Sequence, residues 1–269
     1  MNSLVEMFSY SFMVRALVVG VLISFSAALV GTPLVLKKNS MLSDGLSHVA
    51  FGAFALASIL GFVPVLVAIP IVIIASILVL RLSENSKIHG DSAIALMSAS
   101  ALAIGTFIMS LSGSNVDINS YLFGSILSVS ETEVFLALGL LTAIILIYLI
   151  FHNKIFAVTF DEKFARAIGI NTKALNIVFA ILCSILIVIG MRLVGALLIS
   201  SLVIFPTLSA QTIFKSFKSV TVAGAIFSTV NFIVGLIASY LLGTPTGATV
   251  VIVNLIVLII LKVLNKIIK

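Results

Sequence analysis

An all-α, polytopic transmembrane bundle is the fold class this sequence predicts, and three observations carry it. Of 269 residues, 61% are hydrophobic and only 9% are charged. Mean hydropathy is +1.36. Several apolar stretches approach or exceed the roughly 20 residues that a helix needs to cross about 30 Å of hydrocarbon. No room remains for a soluble domain of ordinary size, so residues 1–269 read as one transmembrane domain.

Apolar runs bounded by Gly, Pro and charge place about nine spans, near residues 10–36, 44–61, 63–81, 91–111, 133–152, 173–190, 194–213, 219–242 and 246–264. The first follows MNSLVEMFSYSFM, which lacks a basic leader, and runs into Lys37 and Lys38; it reads as a retained helix rather than a cleaved signal peptide. The second carries Ala53, Ala57 and Gly61 at small-xxx-small spacing, which favours close helix packing. Asp91 after Gly90 suits the start of the fourth, and Ser130 with Glu133 forms a capping box for the fifth. Between the fifth and sixth lies a loop, 153–173, holding TFDEKFARAIG. There Thr159 and Glu162 fit a second capping box, Phe160, Phe164, Ala165 and Ile168 share one apolar stripe, and Gly169 is the stop of a short amphipathic surface helix. The lone cysteine, Cys183, sits inside the apolar sixth span and reads as a packing residue, with no disulfide framework.

Charge then orients the bundle. Thirteen of the fifteen Lys and Arg fall on one side: Lys37, Lys38, Arg81, Lys87, Lys154, Lys163, Arg166, Lys173, Lys215, Lys218, Lys262, Lys266 and Lys269. Only Arg15 and Arg192 lie opposite. The positive-inside rule therefore puts the amino terminus outside and the carboxy terminus in the cytoplasm, in keeping with an odd number of spans. The net charge of +6 records this topology and does not call for a nucleic-acid partner. His89 and His152 fall in or beside the cytoplasmic loops, where solvated histidines are expected.

Asp44 and His48 stand out because a carboxylate and an imidazole are costly in a membrane. Four residues apart, they share one helix face. Two readings stay open. In one, Asp44 is the N-cap of its span and His48 bonds a neighbouring helix. In the other, the two are ligands for Zn²⁺, Mn²⁺ or Fe²⁺, and a second copy of the chain about a twofold axis completes the shell.

Four blocks in this order resemble the permease subunits of ABC importers for zinc, manganese or iron. SDGLSHVAFG resembles that family's D-x-L-S/A-H block, VDINSYLFGSILSVS its outer-loop VDL-x-x-YLFG block, FDEKFARAIG its FD-x-x-x-A-x-x-x-G segment, and VGALLISSLVIFPTLSAQ its VGALLI-x-SLLIIPAATAR block. The resemblance implies a permease pair in the bacterial plasma membrane. Two cytoplasmic ABC ATPase subunits and an extracytoplasmic metal-binding protein would be its partners. Asp44 and His48 match the acid and histidine implied to line the metal path. Residues 204–218 would end a span, broken or bent at Pro206, and form the ATPase-coupling region with Gln211, Lys215 and Lys218; Phe160, Asp161, Arg166 and Gly169 would contribute nearby. Gln211 stands where the family commonly has arginine, a departure that bears on that contact.

LSGS at 111–114 looks like part of an ATPase signature, but it ends a span on the outer side and no GxxxxGK motif followed by Ser or Thr occurs, so ATP must be hydrolysed by another chain. The chain is thus expected to be a transport subunit and not an enzyme, with no cofactor of its own. A permease for a metal chelate such as a siderophore or cobalamin, and a proton-coupled secondary transporter, are the alternatives.

Overall fold

A computed structural model describes residues 9–85, 90–112, 124 and 131–268. These residues form helices and no strand. In chain order the helices are α1 (Ser11–Leu36), α2 (Met41–Leu60), α3 (Pro64–Asn85), α4 (Gly90–Ser112), α5 (Glu131–Phe160), α6 (Glu162–Ala167), α7 (Thr172–Val194), α8 (Ala196–Ile213), α9 (Phe217–Leu242) and α10 (Thr246–Ile268). Among the described residues, all but α6 contain a stretch long and apolar enough to span a bilayer, nine in total.

Burial sorts these nine into two layers. In α1, α2, α7, α8 and α9, 56% to 67% of the spanning stretch is buried; in α3, α4, α5 and α10 the share is only 17% to 28%. The outer helices turn Leu66, Ile74, Phe107, Ile150 and Ile256 outward. Such exposure would cost a soluble protein dearly, but against lipid tails it is free of a hydrophobic penalty, so packing and polar contacts must hold the inner layer together. Small residues make that packing close. A Cβ on Gly31 of α1 would fall 2.1 Å from the Val203 carbonyl oxygen of α8, and one on Gly52 of α2 would fall 2.8 Å from the Ala101 carbonyl oxygen of α4. Beside Gly31, Thr32 meets Thr207 at 3.5 Å between hydroxyls. The Asn231 amide donates to Asn254 at 2.8 Å, tying α9 to α10 inside the bundle.

Several boundaries differ from the sequence expectations for identifiable reasons. The second helix starts at Met41 rather than 44, with Ser40 preceding it. Gly61 does not pack against a neighbour; at φ 70° it ends α2 in the left-handed conformation, with open space where a Cβ would lie. No Gly or Pro interrupts residues 140–160, and α5 runs on to Phe160, absorbing the start of the expected loop. Thr159 is therefore inside α5, where its hydroxyl donates to the Ile155 carbonyl, and it caps nothing. The cap of α6 is Asp161, whose carboxylate accepts from the Phe164 amide at 2.9 Å. His152 likewise lies within α5, not in a loop, its ring tilted against Phe217 at 5.3 Å between ring centres. Of the break or bend expected at Pro206, a break does not occur, since α8 continues to Ile213. Pro206 is buried there, and such prolines persist in spanning helices because neighbouring helices hold the freed backbone in place. Only Gly195 separates α7 from α8. The Ser130 and Glu133 capping box, His89, Lys87 and the VDINSYLFGSILSVS block, Gly124 apart, lie outside the residues whose placement or side chains are described.

At the basic end of the bundle α1, α6 and α7 meet through polar groups. Lys37 donates to the Asn176 side-chain Oδ1 at 3.3 Å, the Asn176 Nδ2 donates to Glu162 at 3.5 Å, and Arg166 contacts the same Glu162 oxygen at 3.4 Å. A cavity of about 340 Å³, bordered by Leu34, Lys37, Glu162 and Asn176, opens beside this chain of contacts. Burial holds the Lys37 amine below the ordinary lysine value of 10.5, and the Glu162 carboxylate partly offsets that depression. Between the depressed value and 10.5 the unfolded chain binds the proton more tightly, so this residue makes stability rise with pH across that alkaline window.

Two outcomes follow from this packing. Gly31→Ala forces the Val203 backbone away at an overpacking cost of about 1–3 kcal/mol in stability, which lowers the thermal denaturation midpoint in detergent. Gly139→Ala, with nothing within 4 Å of its site, leaves the midpoint at or above wild type; equal losses in both would contradict the close α1 and α8 contact. Glu162→Gln removes the charge that supports protonated Lys37, so its titration midpoint moves further down, as read by NMR of ¹³C-methylated lysines; an upward shift would contradict the pairing.

Candidate functional site

α2 buries Leu42, Ser43, Leu46, Ser47 and Val49 and leaves Asp44 and His48 on its accessible side. Asp44 lies within the first turn of α2 and is not its N-cap, since Ser40 occupies that position without any side-chain cap bond. The capping account of Asp44 therefore fails. Its carboxylate turns instead along the helix face: Oδ2 lies 3.6 Å from His48 Nε2, and Oδ1 accepts from the Ser200 hydroxyl of α8 at 3.5 Å.

These distances matter chemically. At 3.6 Å the carboxylate and the imidazole nitrogen are too far apart for a tight hydrogen bond, so neither lone pair is consumed by the other. Two ligand atoms each about 2.1 Å from a tetrahedral ion stand about 3.4 Å apart, so the observed spacing already matches a coordination edge. The Asp44 side chain keeps 55% of its exposure and His48 26%, which leaves both approachable. A close approach of α2 to α4 holds the turn in place, because a Cβ on Gly45 would meet the Ile94 side chain at 2.6 Å.

Among the described residues no three His, Cys, Asp or Glu side chains converge on one point. One chain thus offers two strong donors and the neighbouring Ser200 hydroxyl. Ser200 was not singled out from the sequence, although a serine pair inside the apolar ALLISSLVIF run is its trace there.

The second candidate region gathers at the basic end. Phe160 ends α5, Asp161 caps α6, and Arg166 pairs with Glu162 one turn before it. Gly169, at φ 85°, lets the chain leave α6 in a closed turn: its amide reaches the Arg166 carbonyl and the Ile170 amide reaches the Ala165 carbonyl. Phe160, Phe164 and Ile168 are 60%, 57% and 56% exposed, whereas Ala165 is buried against the bundle. The expected amphipathic stripe exists, but its large members face outward. From the other segment, Pro206 is buried in α8, Gln211 is half-buried, Lys215 is exposed in the turn before α9, and Lys218 is exposed on the first turn of α9. The two segments meet through Phe217, whose ring lies 5.3 Å from Phe156 and 6.1 Å from Phe160.

The fold and the sequence have counterparts among known proteins. The model of the ABC 3 transport family matches residues 9–265. A "Probable metal transport system membrane protein" of Thermotoga maritima is 31% identical over 92% of this chain and 88% of its own. The manganese import system permease protein ScaB of Streptococcus gordonii is 28% identical over 93% of this chain and 90% of its own. The structure of PsaBC from Streptococcus pneumoniae in complex with Fab superposes with a TM-score of 0.87 at 28% identity, covering 97% of this chain and 94% of that one. With the family model spanning nearly all the described helices, the chain belongs to the ABC 3 transport family.

Proposed function

We propose that this chain is the membrane-spanning permease of an ATP-driven importer of a divalent transition-metal ion, working as a pair of identical copies. The observation that carries the proposal is the Asp44 and His48 pair, held 3.6 Å apart and accessible on a helix otherwise packed into the bundle. Two chains facing each other across a twofold axis bring four such donors together, a set suited to Mn²⁺, Fe²⁺ or Zn²⁺. The names of relatives favour manganese and iron among these: one is a manganese import permease and another, from Haemophilus influenzae, a "Probable iron transport system membrane protein". Two ligands per chain bind weakly enough to release, as a transport site requires.

In the proposed orientation the amino terminus is outside and the lysine-rich ends face the bacterial cytoplasm. A metal-binding protein delivers the ion from outside. ATPase subunits dock where Phe160, Phe164 and Ile168 present an apolar face beside Asp161, Arg166 and the 214–218 turn. Exposed apolar residues flanked by charge suit a protein contact of that kind. α6 is joined to α1 through Glu162, Asn176 and Lys37, and a four-residue link carries α1 into α2. Movement of α6 on nucleotide binding thereby reaches the helix that bears Asp44 and His48. Gln211 is half-buried, so Lys215 and Lys218 supply the nearby positive charge.

Uptake of labelled manganese and iron by cells expressing the complete transporter tests the metal role. His48→Ala lowers uptake about tenfold or more, at least the loss that follows disturbance of a metal ligand's surroundings, while membrane levels of the protein stay unchanged. Wild-type uptake by the variant would remove His48 from the ion path. Protonation removes the imidazole lone pair, so transport in reconstituted vesicles falls as the medium is acidified through the range in which histidines take up a proton; a profile flat across that range would refute direct ligation.

A further inference from the structure

A second accessible hollow, of about 380 Å³, lies between α1, α5 and α9, lined by none of the residues of α2 and α8 that form the Asp44 site. Its long wall is apolar: Phe25, Leu149, Val222 and Ile226 line it, and each is also exposed on the outside of the bundle. Its other end is polar. Lys218, His152 and Asn153 sit there together, with Lys218 near enough to His152 to act on it electrostatically. No carboxylate is among the lining residues. Lys218, Val222 and Ile226 follow one another on a single face of α9, so the hollow runs along the helix for about 12 Å from its charged end.

We infer that this hollow binds one anionic glycerophospholipid, with an acyl chain along the α1, α5 and α9 wall and the phosphate held by Lys218, His152 and Asn153. An apolar groove open to the bilayer takes an acyl chain readily, because lipid already surrounds it. The ammonium of Lys218 and the adjoining side-chain donors distinguish a net negative headgroup from a zwitterionic one, whose own cation offsets the attraction. The level of the site agrees as well. Lys218 stands in the first turn of α9, at the end of the span, where a headgroup lies, whereas Ile226 is two turns further into the apolar stretch. The inference is independent of which metal the chain carries, and it assigns Lys218, at the edge of the proposed ATPase-docking region, to the lipid phosphate, leaving Lys215 to that docking contact.

The absence of tryptophan from this chain makes the test direct. Leu149→Trp places one fluorophore on the groove wall at a position already 58% exposed. In phosphatidylcholine vesicles, brominated phosphatidylglycerol quenches that tryptophan with about fivefold preference over brominated phosphatidylcholine, the size of one lysine's attraction for anionic lipid. Adding Lys218→Gln brings the two lipids close to parity, and Leu78→Trp on α3, away from the groove, shows near parity throughout. Equal quenching by both lipids at Leu149→Trp overturns the site. So does a preference that survives Lys218→Gln, or one of equal size at Leu78→Trp, since either outcome assigns the effect to general attraction by the basic surface.

Discussion

Hydrocarbon supplies no hydrogen-bond partner, and this constraint governs where every polar atom of the bundle goes. Most hydroxyls within the spans answer it locally. Ser24 donates to the Gly20 carbonyl, Ser47 to Ser43, Ser184 to Ala180 and Thr221 to Phe217, each one turn back along its own helix. Asn231 and Asn254 answer it across helices. The hydroxyls of Ser26, Ser76, Ser209 and Ser228 are buried without a partner, and nothing in the structure explains them. Asp44 and His48 cannot bond backward to a carbonyl as a serine does, because a carboxylate has no proton to give and an imidazole needs room. Their contact stays loose and both side chains remain accessible on the face of α2.

The two layers divide the labour. The inner helices bring backbones into contact at Gly31 and keep α2 and α8 close enough for Ser200 to reach Asp44. The outer helices pack on them with one side and present apolar side chains with the other. At the basic end, α5 outlasts the span expected for it and carries α6 on its tip, so the short helix is held by Phe160 and Phe217 on one side and by Glu162 and Asn176 on the other. A helix of six residues has little stability of its own. These contacts and the closed turn at Gly169 make it a rigid extension of the bundle.

Local rules explain the boundaries that were misplaced. Thr159 and Glu162 satisfied the spacing of a capping box, yet the apolar run from α5 had no breaker before Asp161, whose carboxylate is the stronger cap. Pro206 carried a true local signal for a break, and the surrounding helices overrode it. Gly61 had the right spacing for a packing motif but sat at a helix end, where positive φ was the greater demand. Each error arose where two rules competed for one residue.

Composition and hydropathy alone determined that the chain spans a membrane in about nine helices, because the thickness of hydrocarbon sets the length of each apolar run. Spacing alone put Asp44 and His48 on one face, since helical periodicity is local. Tertiary structure alone decided that Asp44 is no cap, that Ser200 on a distant helix supports it, and that Lys37, Glu162 and Asn176 join three helices at the basic end. The Ser200–Asp44 and Lys37–Asn176 contacts join residues more than a hundred positions apart, which hydrophobic periodicity does not encode.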